Sequence, residues 1–396
     1  MSHTPSDILD QIAVARVAFD RNEAGSREAL IDHSRALIAS LEIPSEFIQR
    51  TFWAEPAQSA IIRMAVDVQL FQRLQEAGSE GLSPSILSEK TGIDVTLVQR
   101  LARHLVAMNL LVFNDGVFLA TKLSNSLAAE NYQHSISFCY DASRPSFNGF
   151  PEHFKKNGYK PPTLSGTDGP FQLAHETDLS FFDWLVATPP HLEHFSSFMA
   201  SYRNGKPDWF DFYPVQERMI EGFDSSANEA LLVDVGGGKG HDVATFVARY
   251  KSHPGKVVLQ DREPVIASVD VRATGQLFEA QAHDFFTPQP IKGARAYSLH
   301  SILHDWGDEE SIKIIENLIG ALKRGYSRVL FNEIVVNEEN PTLAATNMDM
   351  MMLAHLNVRE RTEGEWRSLL AKGGLKVIKI HNYLGVAESV IEAELA

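Results

Sequence analysis

Apolar residues follow two different periods along this chain of 396 residues. Near the N-terminus they recur every three or four positions, as at Ile8, Ile12, Ala15 and Phe19, which predicts amphipathic helices. From about Leu231 onward, short apolar runs alternate with helical patterns. Such alternation is typical of a doubly wound, mostly parallel sheet. The sequence therefore predicts a helical N-terminal region followed by an α/β region.

The N-terminal region predicts helices and one hairpin. Two helices are expected over residues 7–50, joined near Asn22–Ser26, and their apolar stripe needs a partner. That partner is either the same chain or a second copy. Residues 57–125 then read as helix, short helix, helix and hairpin, with the turn at Asn114-Asp115-Gly116. This order is that of a winged helix.

The charge of this predicted winged helix decides against DNA binding. Between Pro84 and Thr121 three basic and three acidic residues balance each other, namely Lys90, Arg100, Arg103, Glu89, Asp94 and Asp115. The whole chain has 36 basic and 51 acidic residues, a formal charge of −15, which repels phosphate backbones and anionic membrane surfaces. We therefore expect a structural or dimerisation role and no nucleic-acid or membrane partner.

Composition and the N-terminus indicate a globular cytoplasmic protein. Hydrophobic residues make up 44% and charged residues 22%, which excludes whole-chain disorder. The single cysteine, Cys139, cannot form an intramolecular disulfide and suits a reducing compartment. The first residues have no apolar run typical of a signal peptide, and no stretch approaches the ~18 to 20 apolar residues of a membrane span.

The chain divides into three predicted parts: a helical winged-helix domain over residues 1–125, a helical linker and substrate-pocket segment over 126–225, and an α/β catalytic domain over 226–396. The middle segment is dense in aromatic residues. Most aromatic residues at helical spacing are core, although such a set can also wall an apolar substrate pocket. Both readings stay open.

The α/β part contains several predicted strands, which are Leu231–Val235, Lys256–Gln260, Ala296–Leu299, Val329–Val336, Leu375–Tyr383 and Ser389–Ala393. The last two are joined so tightly that they should be antiparallel. After the third strand we expect a helix capped by Asp308 and ended near Lys323-Arg324-Gly325. A capping box at Thr362–Glu365 opens another helix.

A glycine-rich turn, Val233–Gly240, follows the first of these strands. Glycines allow a sharp turn and a close approach to a ligand. A dinucleotide fingerprint would need glycine where His241 stands, and no Gly-Lys-Ser/Thr ending is present. Asp261, 21 residues beyond Gly240, ends the next strand and can accept ribose hydroxyls. A nucleoside ligand without pyrophosphate fits these residues, whereas the glycine run alone could be a structural turn.

Further motifs follow in order, namely Gln260–Ile266, His283–Phe286, Leu299–Trp306, Asn332-Glu333 and Arg359–Thr362. Their order and spacing resemble the S-adenosylmethionine-dependent O-methyltransferases of the plant caffeic-acid type and their fungal secondary-metabolite relatives. The resemblance covers essentially the whole chain. It implies a Rossmann-like catalytic domain, an N-terminal winged-helix dimerisation domain, a homodimer and S-adenosylmethionine as the cofactor.

The resemblance also implies cofactor contacts. Asp261 would hold the ribose, Gly236 and Gly238 would line the methionine portion, and further cofactor residues would be Asp234, Asp284, Phe285 and His300. Asp284 and Phe285 would bracket the adenine, although Asp284 could instead be a turn residue. His300 stands where the family usually has Lys or Arg, so one electrostatic contact is expected to be weaker.

The motif His304-Asp305-Trp306 carries the expected reaction. A phenol with a pKa near ~10 is mostly protonated at neutral pH, and a histidine can take its proton as the oxygen reacts. A carboxylate on the other ring nitrogen orients the imidazole and stabilises its charged form. Glu333 and Glu360 match the two acidic partners of the family. We therefore predict O-methylation of a phenolic or enolic hydroxyl with His304 as general base.

The acceptor site and an alternative reaction are less defined. We expect substrate contacts from Asp305, His134, Arg203 and Met352. The alternative is a pericyclase that binds S-adenosylmethionine on the same fold, in which His134, Arg203 and His304 would polarise a substrate carbonyl. His191 and His194 could ligate zinc in principle, but no other pair has ligand spacing, so we expect no metal.

Overall fold

The structure is a computed structural model that describes residues 4–164, 166–202, 204–269 and 277–396. The chain forms two compact units. The first comprises the described residues within Met1–Val14, Leu30–Tyr159 and Pro170–Asn204. The second comprises those within Ala15–Ala29, Lys160–Gly169 and Gly205–Ala396. No helix in these described ranges is both long and apolar enough to cross a membrane.

The N-terminal helices are α1 Pro5–Asp20, α2 Ser26–Leu41, α3 Pro44–Gln49, α4 Glu55–Asp67 and α5 Leu70–Ala77. A π-helical turn over Arg50–Ala54 joins α3 to α4. The predicted break near residues 22–26 is confirmed, and Gly25 there has a left-handed φ of 73°. The segment holds a third short helix as well, because Pro44 is suited to a first helical turn and not to a helix interior.

The helix–helix–hairpin order is confirmed, with α6 Pro84–Thr91, α7 Val95–Ala107, β1 Leu111–Asn114 and β2 Val117–Ala120. Ser83 and Asp94 cap the two helices through their side-chain oxygens. In the hairpin, Asp115 and Gly116 have φ values of 47° and 83°, as a two-residue type I′ turn requires. Buried side chains from α5, α6, α7 and the hairpin form one apolar core.

The middle helices are α8 Lys122–Ser126, α9 Glu130–Phe138, α10 Arg144–Lys156, α11 Pro170–His175, α12 Phe181–Ala187 and α13 His191–Ser201. Their aromatic side chains pack against one another: the ring of Phe138 lies 5.1 to 6.3 Å from those of Phe181, Phe195 and Phe198. Phe138 is 1% exposed. These aromatic residues therefore serve as core in the first unit.

The second unit is built on a sheet whose described strands are β3 Ala230–Val235, β4 Lys256–Asp261, β5 Glu279–Ala282, β6 Ala296–His300, β7 Arg328–Val336, β8 Arg361–Thr362, β9 Leu375–Asn382 and β10 Glu388–Leu395. Their order is β5-β4-β3-β6-β7-β10-β9, with β8 paired to β7. β10 runs antiparallel to β7 and β9, while β3 to β7 are mutually parallel. The predicted Rossmann-like sheet with an antiparallel last strand is confirmed.

Helices α14 His241–Arg249, α15 Glu263–Ile266, α16 Asp308–Ile319, α17 Leu343–Leu356 and α18 Glu363–Lys372 accompany these strands. The capping box of Thr362 with Glu365 is confirmed. The expected cap of α16 is wrong: Gly307 is the N-cap, and Asp308 lies in the first turn. This helix also ends at Ile319, before the predicted Lys323-Arg324-Gly325.

Side chains alternate between the two faces of the sheet, as strand geometry requires. Val233 and Phe331 belong to one buried cluster with α16 and α18. Their strand neighbours Leu232 and Leu330 belong to the other, with α14. Both faces are therefore covered, which leaves the carboxyl ends of the parallel strands as the place where polar side chains gather.

Candidate active site

The glycine turn after β3 has a backbone that only glycine adopts easily. Gly236, Gly238 and Gly240 have φ values of 76°, 60° and 80°. A Cβ at Gly236 would lie 2.6 Å from Cδ1 of Ile302, and a Cβ at Gly237 would overlap a carboxylate oxygen of Asp234. The turn is therefore shaped by close contacts, while a Cβ at Gly238 would meet no atom within 4 Å among the described residues.

Asp261 is fixed beside this turn. Its Oδ2 accepts a hydrogen bond from the backbone N–H of Gly238 at 2.8 Å, and its Oδ1 accepts one from Arg262 at 2.7 Å. Each carboxylate oxygen can accept a second hydrogen bond. The arrangement therefore holds a carboxylate next to the glycine turn with capacity for the hydroxyls of a ribose.

Asp234 lies buried at the same turn, and one of its two carboxylate oxygens lacks a hydrogen bond to any described residue. The residue is 2% exposed, and its Oδ1 accepts a hydrogen bond from the hydroxyl of Ser298 at 2.7 Å. Its Oδ2 is buried and has no hydrogen-bond partner among the described residues. Burial, helped by the nearby charge of Asp242, raises the pKa of Asp234 to about 7. A donor group of a ligand, such as an ammonium, would satisfy this oxygen.

The other predicted cofactor residues have partners of their own. Oδ1 of Asp284 accepts a hydrogen bond from the backbone N–H of Phe286 at 2.9 Å, which is a local turn bond. Phe285 is half-buried and its ring centroid lies 6.2 Å from that of Trp306. Nδ1 of His300 lies 2.5 Å from a carboxylate oxygen of Asp242. The structure thus pairs His300 with an acid of its own chain.

His304 lies on a short 3₁₀ turn, Leu303–Asp305, directly after β6. Its Nδ1 lies 2.9 Å from Oε1 of Glu360, whose side chain is 0% exposed. Because an ionised carboxylate only accepts, Nδ1 carries the proton of this hydrogen bond. Nε2 lies 3.5 Å from Oδ1 of Asp305. Glu360 thereby orients the ring through Nδ1, and Nε2 lies beside Asp305.

Glu333 has a different part in this arrangement. Its Oε1 accepts hydrogen bonds from the backbone N–H groups of Ile302 at 3.0 Å and Leu303 at 2.8 Å. Its Oε2 is buried with no hydrogen-bond partner in the described ranges. Burial raises the pKa of Glu333 to about 7. Glu360 therefore binds the imidazole ring, whereas Glu333 binds the turn that carries it.

Opposing effects set the proton affinity of His304. Burial alone would lower its pKa, but the negative charges of Asp305, Glu360 and Glu333 outweigh burial and raise the pKa to about 10. Burial also raises the pKa of Asp305, to about 6, against the opposing effect of His304. The acids thus stabilise the protonated ring, so that at neutral pH it acts as a general base only in the fraction of molecules that has lost this proton.

Comparison with known proteins shows the family of the chain. The family model for an O-methyltransferase domain matches residues 197–376. The chain is 61% identical to O-methyltransferase mpaG of Penicillium roqueforti over 398 residues, which covers 100% of each chain. The protein belongs to the O-methyltransferase family. The predicted family membership and enzyme class are therefore confirmed.

Two solved structures in the family's fold extend the comparison. The structure titled "A Pericyclic Reaction enzyme" has a TM-score of 0.90 and 26% identity, and the match covers 97% of this chain and 98% of that one. LepI in complex with SAM has a TM-score of 0.88 and 26% identity, with 97% of each chain covered. The fold of this chain thus occurs in an enzyme named for a pericyclic reaction. It also occurs in LepI, whose structure contains SAM.

The predicted acceptor residues lie in different places. Met352 is on α17 in the second unit and is 8% exposed. His134 is on α9 in the first unit, where its Nδ1 lies 3.0 Å from the hydroxyl of Ser197 and its ring lies 4.8 Å from that of His194. Arg203 lies outside the described residues. No group of three or more His, Cys, Asp or Glu side chains in the described part of the chain could hold a metal ion.

Sequence reasoning missed several residues that support the O-methyltransferase site. Asp349 on α17 accepts a hydrogen bond from the backbone N–H of Glu360 at 2.8 Å. Asp242 pairs with His300, as described above. Arg361 contacts the turn that carries His304. These pairs are 11 to 58 residues apart in sequence, so no local pattern indicates them, although Arg361 itself belongs to the motif Arg359–Thr362.

Proposed function

We propose that this O-methyltransferase methylates a phenolic or enolic hydroxyl of a small, polyketide-type fungal product, with His304 as the general base. One observation carries the proposal: Nδ1 of the buried His304 lies 2.9 Å from the fully buried carboxylate of Glu360. His304 follows β6, and the glycine turn follows the neighbouring parallel strand β3, so both lie at the same edge of the sheet. A ring held in this way has Nε2 as the nitrogen that receives a proton.

S-adenosylmethionine is the cofactor of this enzyme, and the residues at the glycine turn fit it. Asp261 would hold the ribose hydroxyls, and the backbone of Gly236 and Gly238 would line the methionine portion. The unpaired Oδ2 of Asp234 fits the amino group of that portion. Asp284 and Phe285 would contact the adenine. When bound, the cofactor supplies an electrophilic methyl group to an oxygen nucleophile.

The residues of the turn support proton removal from the acceptor. Nε2 of His304 would take the hydroxyl proton as the acceptor oxygen gains the methyl group, whose bond to the sulfur of the cofactor would break to leave S-adenosylhomocysteine. The ring would then carry two protons, and the carboxylates of Asp305 and Glu360 would stabilise its positive charge; the raised pKa of His304 supports this role. We assign Asp305 and Met352 to contacts with the acceptor, and His134 and Arg203 stay predictions.

A pericyclic reaction is the second candidate, because a pericyclase shares the fold at a TM-score of 0.90. The general-base arrangement around His304 and the much higher identity to a protein named as an O-methyltransferase favour methylation. The two candidates differ in their products, since methyl transfer consumes one cofactor molecule for each turnover and a pericyclic reaction consumes none.

Label transfer separates these candidates. Purified protein would be incubated with methyl-tritiated S-adenosylmethionine and a panel of caffeic acid and polyketide-type phenols and enols. We expect label in the product, and we expect His304→Ala to lower the rate by ~100-fold or more. Full activity in His304→Ala would refute the base assignment. Conversion of a panel compound without release of S-adenosylhomocysteine would select the pericyclase, and no label in any of the panel would contradict the substrate class.

We also propose a homodimer formed through an exposed apolar surface on residues 41–53. Large apolar side chains there are 47% to 66% exposed, namely Leu41, Ile43, Phe47, Ile48, Phe52 and Trp53. Exposed apolar side chains gathered in one segment of the chain are typical of a protein interface. Light scattering after gel filtration should give twice the chain mass of 44.1 kDa. The double variant Phe52→Glu and Trp53→Glu should give the single mass, and an unchanged dimer would place the interface elsewhere.

A further inference from the structure

The turn that carries His304 is held from two sides by buried charged groups. On the amide side, Glu333 accepts the backbone N–H groups of Ile302 and Leu303. On the carbonyl side, Arg361 donates from Nη1 to the carbonyl of Leu303 at 2.8 Å and from Nη2 to that of Trp306 at 2.8 Å. Arg361 thus bonds the residue before His304 and the residue two positions after it.

The guanidinium of Arg361 is fixed on its remaining sides. Nε and Nη2 donate to Oδ1 of Asp308 at 3.1 and 3.0 Å, and Nη2 lies 3.4 Å from the hydroxyl of Ser311. The group also lies over the ring of Trp366, 5.2 Å from its centroid. Arg361 is 2% exposed, so its position varies little and its hydrogen bonds are shielded from water.

The contacts with the turn are more important than the ion pair. The side chain of Asp308 is 44% exposed and can be hydrated without Arg361. Besides Arg361, the carbonyl of Leu303 accepts a hydrogen bond from the backbone N–H of Trp306 at 3.3 Å and has a 3.3 Å contact from the hydroxyl of Ser311. The carbonyl of Trp306 has a 3.4 Å contact from the same hydroxyl. Loss of Arg361 would therefore leave the two carbonyl groups with these longer contacts, and the turn would gain freedom to move.

Arg361 also follows Glu360 directly in the chain. Glu360 binds the ring of His304, and Arg361 binds the backbone of the turn that carries this ring. The same segment is anchored to the sheet, because Arg361 pairs with Val335 on β7. Arg361 therefore connects the turn that carries His304 with the segment that carries Glu360. These contacts together fix the distance between the imidazole of His304 and the carboxylate of Glu360.

We propose that Arg361 is a positioning residue for the general base. It holds the turn so that Nδ1 of His304 stays on Glu360 and Nε2 is presented to the acceptor. A lysine cannot replace it fully. The planar guanidinium of arginine reaches two carbonyl groups and a carboxylate at once, whereas the single ammonium group of lysine does not. This inference rests on the proposed function, in which His304 is the base.

A double-mutant cycle tests the coupling. Arg361→Met, Arg361→Lys, His304→Ala and the double variant Arg361→Met with His304→Ala would be assayed with the phenol that the label-transfer experiment identifies. We expect Arg361→Met to lower kcat by about 10- to 100-fold and Arg361→Lys to restore part of it. The KM for S-adenosylmethionine should stay within about 2-fold. In the His304→Ala background, Arg361→Met should have no further effect.

Two measurements that need no acceptor complete the test. Binding of S-adenosylhomocysteine by calorimetry should be unchanged in Arg361→Lys, while the ¹⁵N resonances of the His304 ring in a pH titration should shift in both single variants at Arg361. Arg367→Gln is the matched control, because Arg367 is exposed on α18 and pairs with Glu363 at 2.8 Å. The control should behave like the wild type in every assay.

The outcomes distinguish this inference from the proposed function. If His304→Ala loses activity and the effect of Arg361→Met adds fully to it, Arg361 does not act through the base and this inference is refuted alone. This inference alone is also refuted if S-adenosylhomocysteine binding falls as much as kcat in the Arg361 variants. The same conclusion follows if the ¹⁵N resonances of the His304 ring do not move in Arg361→Lys. If His304→Ala keeps full activity, the proposed base and its positioning residue are both refuted.

Discussion

Glu360→Gln tests the electrostatic part of the proposed site. The substitution keeps the size of the side chain and its oxygen near Nδ1 of His304, but it removes a negative charge at 2.9 Å from that nitrogen. In the wild type the acids raise the pKa of His304 to about 10 although burial alone would lower it. Without the charge of Glu360, the protonated ring is less stable and its pKa must fall.

The size of this effect follows from the buried geometry. A hydrogen bond to a charged group contributes about 1.5–3 kcal/mol, and two charges about 4 Å apart at an effective dielectric constant of about 20 interact by about 4 kcal/mol. One pKa unit corresponds to about 1.4 kcal/mol. The pKa of His304 should therefore fall by about 1 to 3 in Glu360→Gln. A ¹⁵N NMR titration of the ring measures it directly.

Thermal unfolding gives a second sign to check. Because the folded-state pKa of His304 lies above its ordinary value of 6.5, the protonated ring stabilises the fold fully below pH 6.5, and this contribution is lost as the pH rises through 10. Glu360→Gln should therefore lower the Tm at pH 6 more than at pH 10. In kinetics, the acid limb of kcat/KM should move to lower pH.

The control for this variant is Glu363→Gln, since the side chain of Glu363 is 57% exposed and pairs with Arg367 on the surface of α18. It should leave the titration of the His304 ring unchanged. A pKa of His304 that stays the same or rises in Glu360→Gln would refute the reasoning, because the ring would then be stabilised by something other than this carboxylate.

Other predictions concern the glycine turn. Burial and the charge of Asp242 raise the pKa of Asp234 from 3.8 to about 7, so ionisation of Asp234 destabilises the fold as the pH rises between these values. Asp234→Asn should therefore have a higher Tm than the wild type at pH 8, no difference near pH 4, and weaker binding of S-adenosylmethionine in calorimetry. Gly238→Ala should cost about 1–2 kcal/mol in urea unfolding from its left-handed φ alone. Gly236→Ala should cost more because its Cβ would lie 2.6 Å from Ile302, and equal losses would contradict this packing.

Features determined by neighbouring residues could be predicted from the sequence. The hairpin turn at Asp115-Gly116 needs two left-handed residues, and its sequence shows them. The capping box of Thr362 needs only Glu365, three positions on. The strands β3, β6 and β7 are rich in apolar residues because both faces of the sheet are covered.

Features that depend on tertiary contacts could not be predicted. Strand β5, Glu279–Ala282, pairs with β4 at the sheet edge and is mostly exposed, and its four residues include no β-branched or aromatic side chain that would indicate a strand. Helix α17 could not be predicted from hydrophobic periodicity, because apolar residues lie on more than one side of it. The cap of α16 is Gly307 and not Asp308, since the carboxylate of Asp308 bonds Arg361, which is 53 residues away.

The different contacts of Glu333 and Glu360 also depend on tertiary structure and could not be predicted from the sequence. Both are acidic and both match a motif, so their sequence alone does not distinguish them. The register of the sheet does: His300 on β6 lies opposite Asn332 on β7, which brings Glu333 to the amide groups at the start of the next turn. Glu360 reaches the ring through β8, which pairs with the end of β7. Strand order therefore decides which acid bonds the backbone and which bonds the imidazole, and a change in that register would exchange or abolish both contacts.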